Sequence, residues 1–188
     1  MNRKEDFIRI YTQYIKRDGA TDLLNWLETT DFFTAPASTK FHGNYEGGLC
    51  EHSVNVWEEL VRLLKAYPEI KVTAESAAIV TLLHDLCKIG VYKQELRSQK
   101  VGGVWVQRPV YVFREDFCYG GHGAKSVYLI QRHMELTPAE ATAINCHMGS
   151  WDRSPGDYSL GPAFEQYPLA WLTHVADESA TYIREKKA

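Results

Sequence analysis

Apolar side chains recur every three to four residues along most of the chain, a spacing that predicts amphipathic helices. Residues 73–89 differ because they are apolar almost all round, which is typical of a buried central helix, with Thr73 at its N-cap and Gly90 just beyond its end. Thr137 and Glu140 form a capping box that marks another helix start. The predicted helices span residues 5–17, 20–33, 50–67, 73–89, 137–149 and 168–186, with a further helix opening in the sequence YGGHGAKS.

The period changes to two over residues 91–113, where β-rich residues surround Arg108 and Pro109. This alternation predicts a short β-hairpin around residues 101–113. Residues 151–166 are rich in Pro, Gly, Asp and aromatic side chains and predict a long loop. The pattern as a whole predicts a mainly all-α fold of about seven helices, in one domain over residues 1–188, with a single β excursion.

Composition narrows the class of protein. With 188 residues, 45% of them hydrophobic and 12% aromatic, the chain can bury a sizeable core. The formal net charge of −3 supplies no overall positive field for a nucleic-acid backbone, although a local basic groove would escape this count. We therefore expect a small-molecule partner, with nucleic acid as the less favoured one.

Neither the N-terminal sequence nor the cysteines indicate export. The first residues, MNRKEDFIRIYTQYIK, are charged and lack the apolar stretch of a signal peptide, and no run approaches the roughly 18 apolar residues that cross a bilayer. We expect a cytoplasmic protein without a membrane partner. Four widely spaced cysteines, of which Cys87 lies closest to a candidate metal site, are expected to be free thiols rather than metal ligands.

Histidine and aspartate recur at positions that the pattern buries. The sequence LLHDLCKIG places His84 and Asp85 side by side in an apolar run, where both are costly to bury without a partner. One buried histidine is most often an ordinary core residue held by a hydrogen bond. A series of such groups is harder to explain in this way, and here it comprises His52, His84, Asp85, His122, His147 and Asp177.

This series and its local sequences resemble the HD-domain superfamily of metal-dependent phosphohydrolases. The matching segments are GGLCEHSVNV, LLHDLCKIG, GGHGAKSV, NCHMG and LTHVADESATYI. The resemblance runs from Gly47 to Tyr182 and includes two middle histidines that occur in some branches only; a looser likeness is to HD-type bacterial 3′-to-5′ exoribonucleases. It implies an HD helical bundle over residues 47–182. Residues 1–46 lie outside the resemblance, and their two predicted helices are expected to form a cap on this core.

The resemblance also implies a metal site. His52, His84, Asp85 and Asp177 would hold one ion, and His122 and His147 would complete a second ion that Asp85 bridges. Imidazole and carboxylate ligands suit one or two divalent transition-metal ions, namely Mn, Fe, Co, Ni or Zn, with Mg as a further possibility. Such ions can activate a water molecule and bind phosphate oxygens during in-line displacement, with Asp85 as the central catalytic carboxylate.

Several basic residues are candidates for binding a substrate phosphate. Lys88, three residues after Asp85, is a catalytic and substrate-binding candidate, although a lysine at a helix C-terminus often only interacts with the helix dipole. Lys125 follows His122 in a glycine-rich helix start, and Arg153 lies in a loop. Arg97 and Arg108 are either phosphate ligands or solvated charges, and His42 is either a loop residue or a substrate contact. Trp151, Tyr158 and Phe164 either form a stacking surface for a base or pack the loop. His174 is a candidate partner for Asp177.

The resulting hypothesis is a metal-dependent phosphohydrolase that cleaves a phosphoester or phosphoanhydride in a nucleotide-like substrate. Three alternatives stay open. They are a 3′-to-5′ exonuclease on short single-stranded nucleic acid, a non-catalytic nucleotide-binding regulatory module, and a metal-dependent oxygenase on the same scaffold. Oligomeric state and substrate identity do not follow from the sequence.

Overall fold

A computed structural model describes residues 3–185. Within these residues eight α-helices and one two-stranded antiparallel sheet follow one another along the chain. Short 3-10 turns lie at Leu86–Lys88 and Gly149–Asp152, and a π-helical turn lies at Ala180–Arg184. The elements are α1 Arg3–Tyr14, α2 Ala20–Thr29, α3 Gly48–Ala66, α4 Ala74–Leu82, β1 Tyr92–Val101, β2 Val104–Phe113, α5 His122–Gln131, α6 Pro138–Cys146, α7 Leu160–Gln166 and α8 Pro168–Ser179.

The mainly all-α fold is therefore confirmed, with the β-hairpin as its β excursion. Helix α3 packs against α1, α4 and α8, and α8 also packs against α6. Helix α4 is apolar on all sides because it is enclosed, and Ile79, Val80 and Leu82 are fully buried. One continuous hydrophobic core joins these helices and includes Phe7, Leu23 and other side chains of the first two helices. The boundary predicted between a cap over 1–46 and a core over 47–182 stays a prediction, and residues 1, 2 and 186–188 lie outside the described residues.

Both predicted helix caps are present. The Thr73 hydroxyl accepts a hydrogen bond from the Ser76 amide, and Thr137 and Glu140 form the reciprocal capping box. In the described residues, no helix is both long and apolar enough to cross a bilayer.

The helix predicted over residues 73–89 ends earlier, at Leu82, and His84 and Asp85 lie in the turn between α4 and the following 3-10 turn. The cause is local. The imidazole of His84 donates from Nδ1 to the carbonyl of Thr81 at 2.8 Å, and in a continued helix that carbonyl would accept from the backbone N–H of Asp85. The side chain thus terminates the helix, which apolar periodicity does not reveal.

The hairpin predicted around residues 101–113 starts earlier, because strand β1 begins at Tyr92. Val101 pairs with Val104 across a two-residue turn, and Gly102 and Gly103 both have positive φ, 56° and 89°, as a type I′ turn requires. Residues 92–101 are polar and give little strand signal of their own; pairing with the β-branched strand β2 holds them extended. The region predicted as a loop over 151–166 also contains the short helix α7.

A buried ion pair ties the segment after α1 to the start of α6. The Arg17 guanidinium donates two hydrogen bonds to Glu140, of 2.7 and 2.8 Å, and Glu140 is fully buried. Burial acts to raise the pKa of Glu140, but hydrogen bonds from Arg17 and Thr137 outweigh it and lower the pKa. Arg17 also binds Glu75 at 3.3 Å, so it connects three segments.

Replacing Arg17 by methionine is expected to lower the free energy of unfolding by about 3 kcal/mol, because it leaves the buried Glu140 carboxylate unpaired. Urea unfolding at neutral pH measures this. The pKa of Glu140 is lowered in the folded protein, so the ion pair stabilises the fold fully above the unfolded-state pKa of about 4.3. This stabilisation is lost as the pH falls through the folded-state pKa. The difference in free energy of unfolding between variant and parent therefore narrows in acid. Arg9→Gln, which breaks an exposed pair with Asp6, is the control and should change stability by less than about 1 kcal/mol; equal effects of the two substitutions would contradict the prediction.

Candidate metal centre

Five of the six predicted ligands lie together in the interior. His52 comes from the first half of α3, His84 and Asp85 from the turn after α4, His147 from the residue after α6, and Asp177 from α8. All five are buried, and His84 and His147 are fully so. Side chains from four separate segments therefore meet at one point of the helical bundle.

The ligand atoms lie within a few ångströms of one another. Nε2 of His52 lies 3.0 Å from Oδ1 of Asp177 and 3.3 Å from Nε2 of His84. Asp85 uses both of its oxygens, with Oδ2 3.4 Å from Nε2 of His84 and Oδ1 3.5 Å from Nε2 of His147. Asp85 thus lies between the His52–His84 side and the His147 side, as a bridging carboxylate would.

The outer nitrogens of the three rings determine which atoms face the centre. Nδ1 of His84 lies 2.8 Å from the carbonyl oxygen of Thr81, and Nδ1 of His147 lies 2.7 Å from that of Ile144. Nδ1 of His52 lies 3.1 Å from the carboxylate of Glu185. Because these oxygens only accept, each Nδ1 carries a proton, and Nε2 is the ring atom that faces the centre, where it can bind a proton or a metal ion.

Such an arrangement favours a positive charge at the centre, which a proton or a metal ion can supply. Two Nε2 lone pairs 3.3 Å apart repel each other unless a positive ion or proton lies between them, and the buried Nε2 of His147 has no hydrogen-bond partner among the described residues. Burial acts to lower the pKa of His52, but Asp177 and Glu185 outweigh it and raise the pKa to about 10. The two carboxylates that raise this pKa also favour the binding of a metal cation at Nε2 of His52. The residues present therefore fit a divalent metal ion.

The carboxylates are held ionised at this point. Burial opposes ionisation of Asp85, but Lys88, His84 and His147 outweigh it and hold the pKa of Asp85 well below its usual range. Asp177 has a lowered pKa as well, since its hydrogen bond with His52 outweighs burial. Neutral imidazoles with ionised carboxylates are the ligand set that borderline divalent ions prefer.

A model of the HD domain matches residues 49–182. The chain belongs to the HD domain family. Comparisons with curated proteins and with solved structures give no match. Membership places the chain in a superfamily of metal-dependent hydrolases, and the histidine and aspartate cluster agrees with an HD-type metal site.

The sixth predicted ligand of this HD domain, His122, lies apart from the cluster. The groups of three ligand atoms within 4.8 Å, taken over the described residues, include His52, His84, Asp85, His147 and Asp177 but not His122. His122 is the first residue of α5 and lines a cavity of about 70 Å³ together with Lys88 and Lys125. Its role as a ligand of a second ion stays a prediction.

The three predicted phosphate-binding residues occupy different positions. Lys88 lies beside the candidate metal centre, with Nζ 2.6 Å from Oδ2 of Asp85, and Lys125, which lines the same cavity as Lys88, pairs with Glu115 at 2.6 Å. Arg153 instead donates to the carbonyl of Asn145 and pairs with Asp157 at 3.8 Å. The structure thus brings Lys88 and Lys125 together, while Arg153 holds its own loop.

The structure also gives the positions of the remaining candidate residues around the HD site. His174 donates from Nδ1 to the carbonyl of His147 at 2.6 Å, so it supports the residue that carries a ligand and not Asp177 as predicted. Phe164 stacks on His174, whereas Trp151 and Tyr158 are largely exposed. Burial raises the pKa of the Cys87 thiol to about 12. That Cys87 is not a ligand stays a prediction.

Two residues that contact His52 escaped a firm prediction. Glu185, at the end of the described chain, accepts from Nδ1 of His52 and from the side-chain amide of Asn55 at 2.8 Å. The ring of His42 lies against that of His52 at a tilt of 39°, with centroids 4.7 Å apart, and neither of its ring nitrogens has a hydrogen-bond partner among the described residues. Burial and the nearby His52 lower the pKa of His42 to about 4, so it is neutral at physiological pH. No motif marks Glu185, which lies beyond the family match.

Replacing Glu185 by glutamine is expected to weaken metal binding about tenfold, because a carboxylate that accepts from the far nitrogen of a histidine ligand fixes the ring and makes it a stronger donor. Titration of the protein with Mn²⁺ by calorimetry measures the affinity. Glu69→Gln, an exposed carboxylate after α3, is the matched control and should leave the affinity unchanged. An unchanged affinity in Glu185→Gln would contradict this role.

Proposed function

We propose that this HD domain is a phosphohydrolase that cleaves a phosphoester or phosphoanhydride bond in a nucleotide-like substrate, using a water molecule as nucleophile. One observation carries the proposal. Three inward Nε2 atoms and two ionised carboxylates surround a buried point, and the ammonium of Lys88 lies next to it at 2.6 Å from Asp85. This set places a divalent-cation site beside an ammonium group, two features that stabilise the transition state of phosphoryl transfer.

His52, His84, Asp85, His147 and Asp177 would hold the metal. When bound, a divalent ion supplies Lewis acidity, which polarises a phosphoryl oxygen and lowers the pKa of water. The backbone carbonyls of Thr81 and Ile144 hold the His84 and His147 rings in the required tautomer. Lys88 has three N–H donors and uses one on Asp85, so two are free for the oxygens of the transferring phosphoryl group.

The cavities beside the centre support a nucleotide-like substrate. The cavity of about 70 Å³ next to Lys88 has roughly twice the volume of a water molecule in the liquid, so it suits a phosphoryl group and not a whole nucleotide. Tyr119 lines this cavity and also a wider groove of about 490 Å³ between α5 and α6, where it stacks on Tyr128 with centroids 4.7 Å apart. We place the phosphate in the small cavity and the base beside these rings, since aromatic side chains stack on bases.

Metal analysis of the purified protein, combined with a panel of phosphomonoesters, phosphodiesters, nucleoside phosphates and short oligonucleotides, tests the function. We expect one or two equivalents of a divalent transition metal, hydrolysis of at least one nucleotide, loss of activity with a chelator and recovery on adding Mn²⁺, Co²⁺ or Zn²⁺. Tight nucleotide binding without turnover across these metals would favour a regulatory module instead. Oxygen-dependent product formation with iron would favour an oxygenase.

A further inference from the structure

The β-hairpin carries a charge opposite to that of the rest of the chain. Residues 92–114 contain five basic side chains and one acidic side chain, Glu95, which gives a local net charge of +4 against −3 for the whole chain. The remaining residues therefore carry −7. The hairpin is the local basic element that the overall count conceals.

The pairing of the two strands places like charges opposite each other. Arg97 pairs directly with Arg108, and cross-strand partners project from the same face of a sheet. Glu95 binds Arg114 at 2.8 Å and reaches Arg97 only at 3.6 Å, and Arg108 has no acidic partner within 4 Å among residues 3–185. Facing arginines destabilise a hairpin unless an anion lies between or beside them.

These arginines line a groove. It has a volume of about 480 Å³ and lies between the hairpin and the loop over residues 39–44. Lys40 of that loop adds a third cation, and the side-chain amides of Asn44 and Gln99 add neutral donors. Three cations and two amides offer hydrogen bonds to several phosphate oxygens, which one isolated surface arginine would not.

The same loop also contacts the metal centre. His42 lies between Lys40 and Asn44 in the chain, and its ring contacts that of the metal-ligand candidate His52, with centroids 4.7 Å apart. The hydroxyl of Tyr92, the first residue of β1, donates to the carbonyl of Ala37 at 3.4 Å and so connects the base of the hairpin to the segment before the loop. The groove and the metal centre are thus neighbours that share one loop.

We propose that this groove binds the phosphodiester backbone of a single-stranded nucleic acid. Binding at the groove does not depend on hydrolysis; only the delivery of the strand to the metal centre rests on the proposed function. A single strand fits because its bases can turn away from a concave cationic surface while the backbone follows it. A lipid surface fits less well, since the largest exposed apolar side chains of the strands, Leu96 and Trp105, belong to the opposite face from Arg97 and Arg108. On the arginine face the exposed apolar side chains are Val101 and Val104, at the hairpin tip.

Fluorescence anisotropy with labelled 12-residue single-stranded RNA and DNA tests the proposal on the full chain, with a chelator present to prevent turnover. We expect binding that weakens steeply as salt rises. In the double variant R97Q/R108Q the affinity at low salt should fall at least tenfold, and the slope of log affinity against log salt should fall by about 1.4, since each phosphate contact on a single strand contributes about 0.7. Comparing RNA with DNA shows which backbone is preferred.

Two further variants distinguish binding in the groove from general electrostatic attraction to the hairpin. Lys100→Gln removes a charge from the opposite face of the same hairpin and should change the affinity less than twofold. Glu95→Gln frees Arg97 and Arg114 from their carboxylate partner and should tighten binding. Unchanged binding in R97Q/R108Q with an intact melting transition, or equal capture by anionic phosphatidylglycerol vesicles with the same dependence on the arginines, would overturn the proposal. Binding of oligonucleotides without hydrolysis of any substrate would overturn the proposed function alone.

Discussion

Asp85→Ala is expected to abolish metal binding and to lower turnover at least about a thousandfold. Asp85 lies close to all three histidines of the centre, with its two oxygens 3.4 to 3.7 Å from their Nε2 atoms. Its removal takes away both the bridging position and half of the carboxylate charge of the cluster. Metal content of the purified variant and hydrolysis of the best substrate in the panel measure the two effects.

This variant needs a control for folding, because it leaves the Lys88 ammonium buried without its partner. Asp85→Asn combined with Lys88→Met removes both charges and keeps similar volumes, so this protein should fold and still bind no metal. Asp157→Ala removes an exposed carboxylate and should retain full activity. A folded Asp85→Ala protein with parental metal content and activity would show that the cluster is not the catalytic centre.

The agreement between sequence and structure differs from one ligand to another for physical reasons. His52 and Asp177 lie on long helices, where the spacing of apolar residues already shows which side chains face inward, so their burial follows from periodicity. The helical pattern misplaces His84 and Asp85, because the His84 ring itself ends α4 by taking the Thr81 carbonyl. Their identification came from the HD motif, which does not depend on the local backbone.

Residues whose role depends on contacts far away in sequence cannot be recognised from their neighbours along the chain. Glu185 meets His52 only because the π-helical turn after α8 brings the end of the described chain against α3. Likewise, Arg97 and Arg108 become neighbours through strand register, and β1 is too polar to be recognised as a strand by itself. Contacts of this kind follow from the tertiary structure, and a basic groove in an acidic chain is invisible to composition.

Lys88→Met is expected to lower kcat about a hundredfold to a thousandfold while metal content stays at the parental level. Lys88 contributes a donor beside the position of the phosphoryl group and is not a ligand, so its loss should affect the transition state more than substrate binding. We therefore expect a small change in KM. The ammonium sits 2.6 Å from Asp85 in a nearly closed environment, with about 10% of the side chain exposed, so water cannot readily replace it.

Steady-state kinetics with metal-loaded protein measure this effect, and Lys88→Arg should recover part of kcat because a guanidinium keeps the charge and the donors. Lys71→Met, on the surface between α3 and α4, removes an exposed lysine that contacts only the carbonyl of Pro68 and should behave as the parent. If Lys88→Met loses metal and activity in parallel, Lys88 serves to hold Asp85 in place. An unchanged kcat would contradict this role and would leave Lys125, which lines the same cavity, as the next candidate to test.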